Sequence, residues 1–290
     1  MKVFIHLGAH KTGTTYFQGL MEHNLKVLAK NGIGFFPIGK FRRNILPEAL
    51  GHPSVINCLG VRAQESYSEN IENLLVSEEN IIGTCPQIIA TGRLYPNAGK
   101  NIHRYSGEGV SFLLCVRNMV NFLPSAWAES LRSSSSYTSF EEFMEKVKIE
   151  NFSWFDVVRN IQQAAEGCKI YVWRYEDNQR ALNKLIALVS EGRLKLGDLH
   201  GPSNIYGRPS MAQHGYEFLK LMDTILGRDV ASAYCKKVSI SAVVSELHSS
   251  LNIFPENLVE AFSLSYRKDI DRIRGMPNVT LWDSEPESSH

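Results

Sequence analysis

Val3-Phe4-Ile5-His6-Leu7-Gly8-Ala9-His10-Lys11-Thr12-Gly13-Thr14-Thr15 is the stretch that decides how this chain is read. Its first five residues have the β-branched and aromatic composition of a strand, and the residues after Gly13 begin a helical pattern. A strand, a glycine-bounded loop and a helix N-terminus bring several backbone N–H groups and the positive end of a helix dipole to one point. That arrangement suits an anion such as a phosphate. The glycines let the backbone approach a ligand closely. Compared with the nucleotide loop G-x-x-x-x-G-K-[ST], Gly8 and Gly13 keep the spacing, but Thr14 stands where the lysine belongs. The cation is Lys11, inside the loop, and Thr12, Thr14 and Thr15 add hydroxyl donors. A phosphate or sulfate can therefore be held here without the usual metal arrangement.

Outward from this loop, short strand-like runs alternate with longer helical patterns, as in a parallel sheet with helices on its faces. The expected strands are Lys2 to Leu7, Gly34 to Pro37, Gln87 to Thr91, Val110 to Val116 and Lys169 to Tyr175. Helical periodicity is expected over Thr14 to Lys30, Ile71 to Val76, Ser125 to Arg132, Phe140 to Ile149, Trp154 to Ala165 and Leu182 to Val189. After Tyr206 strand signals nearly cease. Glu217 to Leu226 and Leu258 to Ile273 read as helices on the body of the protein. With no Pro/Gly/Ser linker in view, the expected organisation is one α/β domain over 1–282. Residues 206–282 form a mainly helical elaboration of it, and 283–290 a flexible polar tail.

Composition removes several classes of function. The chain of 290 residues is 43% hydrophobic and 21% charged, an ordinary globular balance, and 31 Lys and Arg against 30 Asp and Glu leave a net charge of +1. No global field draws in nucleic acid or an anionic membrane, so neither is an expected partner. No apolar run approaches the ~18 residues of a membrane span and no signal-peptide pattern opens the chain, so a cytoplasmic location is expected. Five scattered cysteines without CxxC or Cys/His spacing read as reduced core residues, with no metal site among them. Nothing in the sequence speaks to oligomeric state.

A second anion feature follows the expected strand Val110 to Val116. It ends in Arg117, and Ser125 follows Pro124 eight residues on. Proline favours the first helical turn, so Ser125 is expected near a helix start, with its hydroxyl and nearby N–H groups free. Arginine offers a fixed fork for phosphate oxygens. Together the two would make a second pocket beside the first, at the carboxyl ends of the strands where ligands of α/β proteins bind.

At Lys11-Thr12-Gly13-Thr14-Thr15, extended by Tyr16 and Gln18, the sequence resembles the sulfotransferases that use 3′-phosphoadenosine 5′-phosphosulfate (PAPS), and the bacterial and carbohydrate-type branch in particular. Arg117 and Ser125, with Trp127 close behind, are similar to that family's 3′-phosphate segment. Tyr175-Glu176-Asp177 resembles its strand ending in Y-E-D and reads as structural, and Gly207-Arg208-Pro209-Ser210 resembles the late loop that closes over the nucleotide. The resemblance covers residues 1 to about 220. It implies a P-loop NTPase-like sulfotransferase fold, with PAPS as donor and adenosine 3′,5′-bisphosphate as product. It implies too that the acceptor is a small molecule or saccharide and that no metal is obligatory. It further implies that Lys11 meets charge on the leaving oxygen, that Thr12 to Thr15, Arg117, Ser125 and Arg208 hold the donor, and that a glutamate or histidine takes the acceptor's proton.

Many bacterial relatives carry that glutamate just after the third strand. With Gln87 to Thr91 read as the third strand, the chain offers Arg93 there, which cannot act as a base. His52, in a His-Pro segment, becomes the first candidate base and His10, beside Lys11, the second. Two other readings stand beside this one: a P-loop kinase using ATP, and a catalytically degenerate nucleotide-binding protein.

Overall fold

The loop after the first strand sits at the centre of a six-stranded parallel sheet. In the computed structural model, residues 1–134, 136–201, 210–245, 249, 251 and 253–283 are described. The strands are β1 (Lys2–His6), β2 (Ile33–Phe35), β3 (Asn73–Ser77), β4 (Val110–Val116), β5 (Lys169–Arg174) and β6 (Val279–Trp282), in the spatial order β2-β3-β1-β4-β5-β6. Ile5 of β1 pairs with Val76 on one side and Phe112 on the other. The chain order reverses about β1, and such a switch point opens a crevice at the carboxyl ends of the strands. The architecture is the expected α/β one, a central parallel sheet flanked by helices.

Alternation along the strands sends neighbouring side chains to opposite faces, and both faces are covered. On one side Ile5, Leu74, Phe112 and Leu114 pack with Trp127 and Trp154 from the helices Met119–Ser133 and Trp154–Ala164. On the other, Phe4, Leu75, Leu113 and Trp173 pack with Phe17 and Leu182 from the helices Thr14–His23 and Asn178–Val189. All five cysteines are free and buried. Among the described residues, no helix is long and apolar enough to cross a membrane.

Two elements are exchanged relative to the sequence reading. Gln87 to Thr91, expected as a strand, lies in the helix Cys85–Thr91. A capping box between Thr84 and Gln87 and a proline in the first turn start this helix, and Gly92 ends it at φ 60°, where a Cβ would stand 2.5 Å from the Lys146 carbonyl oxygen. Ile71 to Val76, expected as helical, supplies most of β3, whose five residues are all buried. A short apolar run has no period of its own, and burial on both faces decided this one. The long first helix is two, Thr14–His23 and Leu25–Lys30, parted at Asn24. The Asn24 side chain donates to the carbonyls of Leu20 and His200. β2 begins one residue earlier than expected and stops at Phe35. The C-terminal part is helical, as Gln213–Leu226, Arg228–Ser241 and Glu256–Arg274, but it ends in β6, which extends the sheet beside β5. Of the expected tail, only Asp283 lies within the described residues, and it accepts from Arg274 at 2.8 Å.

His6, the last residue of β1, is 3% exposed, with its ring against Phe17 and Trp173 and its Nδ1 at 2.8 Å from the Ser77 hydroxyl. Burial pushes its pKa down to about 4 against an opposing pull from Glu79. The folded state refuses a proton that the unfolded chain accepts below pH 6.5, so this contribution to stability is complete above that pH and is lost as pH falls toward 4. Urea unfolding at pH 7 and pH 4.5 is therefore expected to give a loss about 2–3 kcal/mol larger for the wild type than for His6→Phe, whose ring does not titrate. Equal losses would refute the assignment to His6.

Candidate functional site

After β1 the chain keeps running beside β4: the Leu7 N–H donates to the Leu113 carbonyl at 2.8 Å and the Ala9 N–H to that of Cys115 at 3.0 Å. It then turns back on itself. The Thr12 and Thr14 hydroxyls both donate to the Ala9 carbonyl, at 2.6 and 3.1 Å, so these two threonines brace the loop from within. Gly8 and Gly13 hold φ of 82° and 83°, and Lys11 adopts φ 61°, a conformation that L side chains seldom take. The loop thus delivers its chain to the helix Thr14–His23, whose first turn has no side-chain cap and no acidic residue. Its N–H groups are left to face whatever enters from the crevice.

That crevice is a cavity of 480 Å³ lined by His10, Lys11, Gly13, Thr14 and Thr15 of the loop and by Arg117 and Tyr175 from the ends of β4 and β5. The Arg117 guanidinium donates to the Lys11 carbonyl at 2.8 Å and lies 4.6 Å from the centre of the Tyr175 ring. Burial lowers its pKa against the pull of Tyr175 and Glu176, yet a guanidinium remains charged at neutral pH. Its backbone is held as well, because Trp154 Nε1 donates to the Arg117 carbonyl at 2.7 Å. Trp154 is fixed in turn by Asp269 of the last helix, which accepts from the Trp154 N–H at 2.6 Å and the Ser153 hydroxyl at 2.9 Å. The C-terminal helix thereby steadies the second cationic feature.

Ser125 is not in a first turn. The helix starts at Met119 under an Asn118 cap, and Pro124 lies inside it, so the backbone around Ser125 belongs to the helix body and the hydroxyl is the group left to offer. It stands 3.3 Å from the Ser210 hydroxyl, and Ser210 lines the cavity. Arg208 lies outside the described residues.

His10 is buried against Tyr95, whose hydroxyl accepts from the His10 N–H at 3.2 Å and sits 3.0 Å from its Nδ1; Nε2 is 3.2 Å from Asn80 Oδ1. The consistent assignment has Tyr95 donating to Nδ1 and Nε2–H donating to Asn80. Burial lowers the His10 pKa despite the opposing Glu79, so the ring is neutral at pH 7 and braces the loop. His52 is exposed at the end of the helix Leu46–Gly51, with Nδ1 engaged by the backbone of Ser54, and it does not line the cavity. Arg93 is exposed and does not line it either.

The misplaced third strand hid the acidic side of the site. β3 ends at Ser77 and runs into Glu78 and Glu79, so a glutamate does follow the third strand. Glu78, 1% exposed, holds the Arg42 fork at 2.6 and 2.8 Å. Glu79 lines the cavity and accepts from Arg42 at 3.0 Å and from Gln18 at 3.1 Å. Burial pushes the Glu79 carboxyl up, but Arg42 and, at the low pH where its ring takes a proton, His10 outweigh it and hold it below the ordinary glutamate value. A second carboxylate, Glu129, lies 3.4 Å from Lys11 Nζ. The signal that would have found Glu78 and Glu79 is the capping box at Thr84: once Cys85 to Thr91 is a helix, the strand must come earlier.

No protein-family model matches the chain, and no curated protein matches it. Among solved structures, the chain is similar to one titled as a sulfotransferase from Alicyclobacillus acidocaldarius, at 12% identity over 81% of this chain and 94% of that one, with a TM-score of 0.40. A likeness this distant carries no argument about what the site does.

Gly8 is tightly enclosed, since a Cβ there would lie 2.9 Å from the Glu79 Cβ at a backbone φ that disfavours any side chain. Gly8→Ala is expected to destabilise the fold by about 1–3 kcal/mol in urea unfolding. The same change at Gly51, which has nothing within 4 Å of such a Cβ, is the control.

Proposed function

We propose that this chain is a sulfotransferase that moves a sulfuryl group from PAPS to a hydroxyl or amine of a small polar acceptor, such as a saccharide, and releases adenosine 3′,5′-bisphosphate. The observation that carries this reading is the bond from Arg117 to the Lys11 carbonyl. It joins two cationic features 106 positions apart at one cavity, which suits a ligand with anionic groups on both sides of a ribose. ATP and GTP have no 3′-phosphate to engage the second feature. The resemblance of Lys11 to Thr15 and of Arg117 with Ser125 to the PAPS-binding segments supports the same reading.

Bound PAPS would supply the activated sulfur; the rest falls to the chain. Lys11, Thr15 and the uncapped N–H groups of the first helix face the negative charge that grows on the oxygen between sulfur and phosphorus. Arg117, with the Ser125 hydroxyl behind Ser210, holds the 3′-phosphate. Glu79 takes the acceptor's proton as the new bond to sulfur forms and the old sulfur–oxygen bond gives its electron pair to the departing bisphosphate. The carboxylate is ionised at neutral pH because its pKa lies below the ordinary value, and Gln18 and Arg42 aim it. In this reading His10 shapes the loop and His52 stands outside the reaction.

A kinase reading has one observation in its favour: Glu78 and Glu79 follow a strand adjacent to β1, where an acid that handles Mg²⁺ would stand. Both carboxylates are bridged by Arg42, and Thr14 occupies the lysine position, so the sulfotransferase reading is preferred. Thermal shifts separate the two. Stabilisation by adenosine 3′,5′-bisphosphate is expected, and stabilisation by ATP with Mg²⁺ alone would favour the kinase. Tight binding of the bisphosphate without transfer to any of a broad acceptor panel would favour the degenerate binder.

Lys11→Ala is expected to lower kcat about 10²–10³-fold with little change in Tm. Glu79→Gln is expected to lower it about 10²–10⁴-fold with KM for the donor nearly kept. Arg117→Ala is expected to weaken adenosine 3′,5′-bisphosphate binding about tenfold or more beyond the loss seen with adenosine 5′-phosphate, which reports only the support withdrawn from the Lys11 turn. Calorimetric titration of both ligands checks the difference, and equal losses would count against a 3′-phosphate site.

A further inference from the structure

A carboxylate stands inside the crevice that gathers Lys11 and Arg117. Glu129 Oε2 lies 3.4 Å from Lys11 Nζ and 3.1 Å from an Arg132 nitrogen, and the three side chains are only 16%, 10% and 10% exposed. Negative charge at this point repels an incoming anion, so its presence in an anion site needs a reason.

The two cations on Glu129 are held differently. Arg132 lies on the same helix, three residues on, and also donates to the Ser239 carbonyl from two nitrogens at 3.1 and 2.8 Å, which ties it to the helix Arg228–Ser241. Glu129 therefore keeps a cationic partner when Lys11 departs. Lys11 sits on the turn of the loop, at φ 61°, on a flexible four-carbon stem. Among the described residues, the groups acting on its ammonium are Glu129 and Arg132 from the Met119–Ser133 helix and Cys85 from the Cys85–Thr91 helix. His10, Glu79 and Arg117 line the same cavity.

We infer that Glu129 is a positioning residue: in the ligand-free protein it holds the Lys11 ammonium against the Met119–Ser133 helix, and anion binding exchanges Glu129 for a ligand oxygen on Lys11 while Arg132 retains the carboxylate. The inference rests on the sulfotransferase reading only for the identity of the anion. It makes the pairing with Glu129 part of the binding step, because every anion must compete with a resident carboxylate. It also explains how a lysine this enclosed keeps its proton before ligand arrives. Burial lowers the Lys11 pKa, and Glu129 is the first group opposing that shift.

The test uses Glu129→Gln, which keeps the shape and removes the charge, with Glu129→Asp as the charge-retaining control and Tm as the check on folding. The Lys11 ammonium is titrated by ¹³C NMR of labelled lysine, its signal assigned with Lys11→Arg, and inorganic pyrophosphate is the probe for binding. In Glu129→Gln the Lys11 midpoint is expected to fall by about one pH unit and pyrophosphate to bind about tenfold more tightly, with Glu129→Asp close to wild type in both. An unchanged midpoint, or pyrophosphate binding as weak as or weaker than in the wild type, overturns the inference. Both readouts are independent of the donor. A protein that behaves as expected in them yet ignores adenosine 3′,5′-bisphosphate keeps the Glu129 exchange and loses the sulfotransferase reading.

Discussion

The structure of the site depends on one hydrogen bond, from the Arg117 guanidinium to the Lys11 carbonyl at 2.8 Å. It is possible because β4 lies directly beside β1, so the residue that follows β4 emerges next to the loop that follows β1. The bond uses a donor on a cation to fix the backbone of the turn, and a hydrogen bond from a charged donor in a half-buried setting is among the stronger ones available. The supports around it run outward to distant parts of the chain: Trp154 on the Arg117 carbonyl, Asp269 on Trp154, and Tyr175 beneath the guanidinium. The last helix is thus tied to the first loop through three side chains.

The electrostatics of the cavity are nearly balanced, and the balance has a physical cause. Cations in a partly dry cavity need partners, because an enclosed charge without one is costly. Lys11 is paired with Glu129, and Arg42 is engaged by Glu78 and Glu79. The neutral His10 adds no charge to the loop. Among the described residues, the uncapped helix start and the Arg117 side chain at the cavity remain to draw a ligand in, a modest field that matches the nearly neutral chain as a whole.

Much of this was legible in the residues. The anion loop, the strand before it, the strand that leads to Arg117 and the strand Lys169–Arg174 carry strong local patterns and lie where those patterns indicate. The exception is Asn73–Ser77, a strand where the pattern indicates a helix, with Cys85–Thr91 a helix where it indicates a strand. With the third strand expected 14 residues too late, at Gln87 instead of Asn73, Arg93 falls just after it in the sequence reading, whereas Glu78 and Glu79 follow the strand in the structure. Gln87 to Thr91 is rich in strand-forming residues but has helix stops at both ends; the stops, being hydrogen bonds that must be made, prevailed over side-chain preference. Ser125 departs from its expected helix start for a related reason. Pro124 favours a helix start, but Asn118 supplies a cap six residues earlier, and the helix accommodates the proline in its interior.

By itself the sequence determined the turn after the first strand, because a strand, a loop bounded by Gly8 and Gly13 and a helix start are local. It also determined an α/β architecture, through the alternation of its runs. Which carboxylates face Lys11, how Arg117 reaches the loop, and where the polypeptide lays its outermost strand were decided only by tertiary structure. Those are contacts between residues about 70 to 120 positions apart, and no local preference encodes them: they follow from which strands lie side by side, and that is set by how the two faces of the sheet are buried.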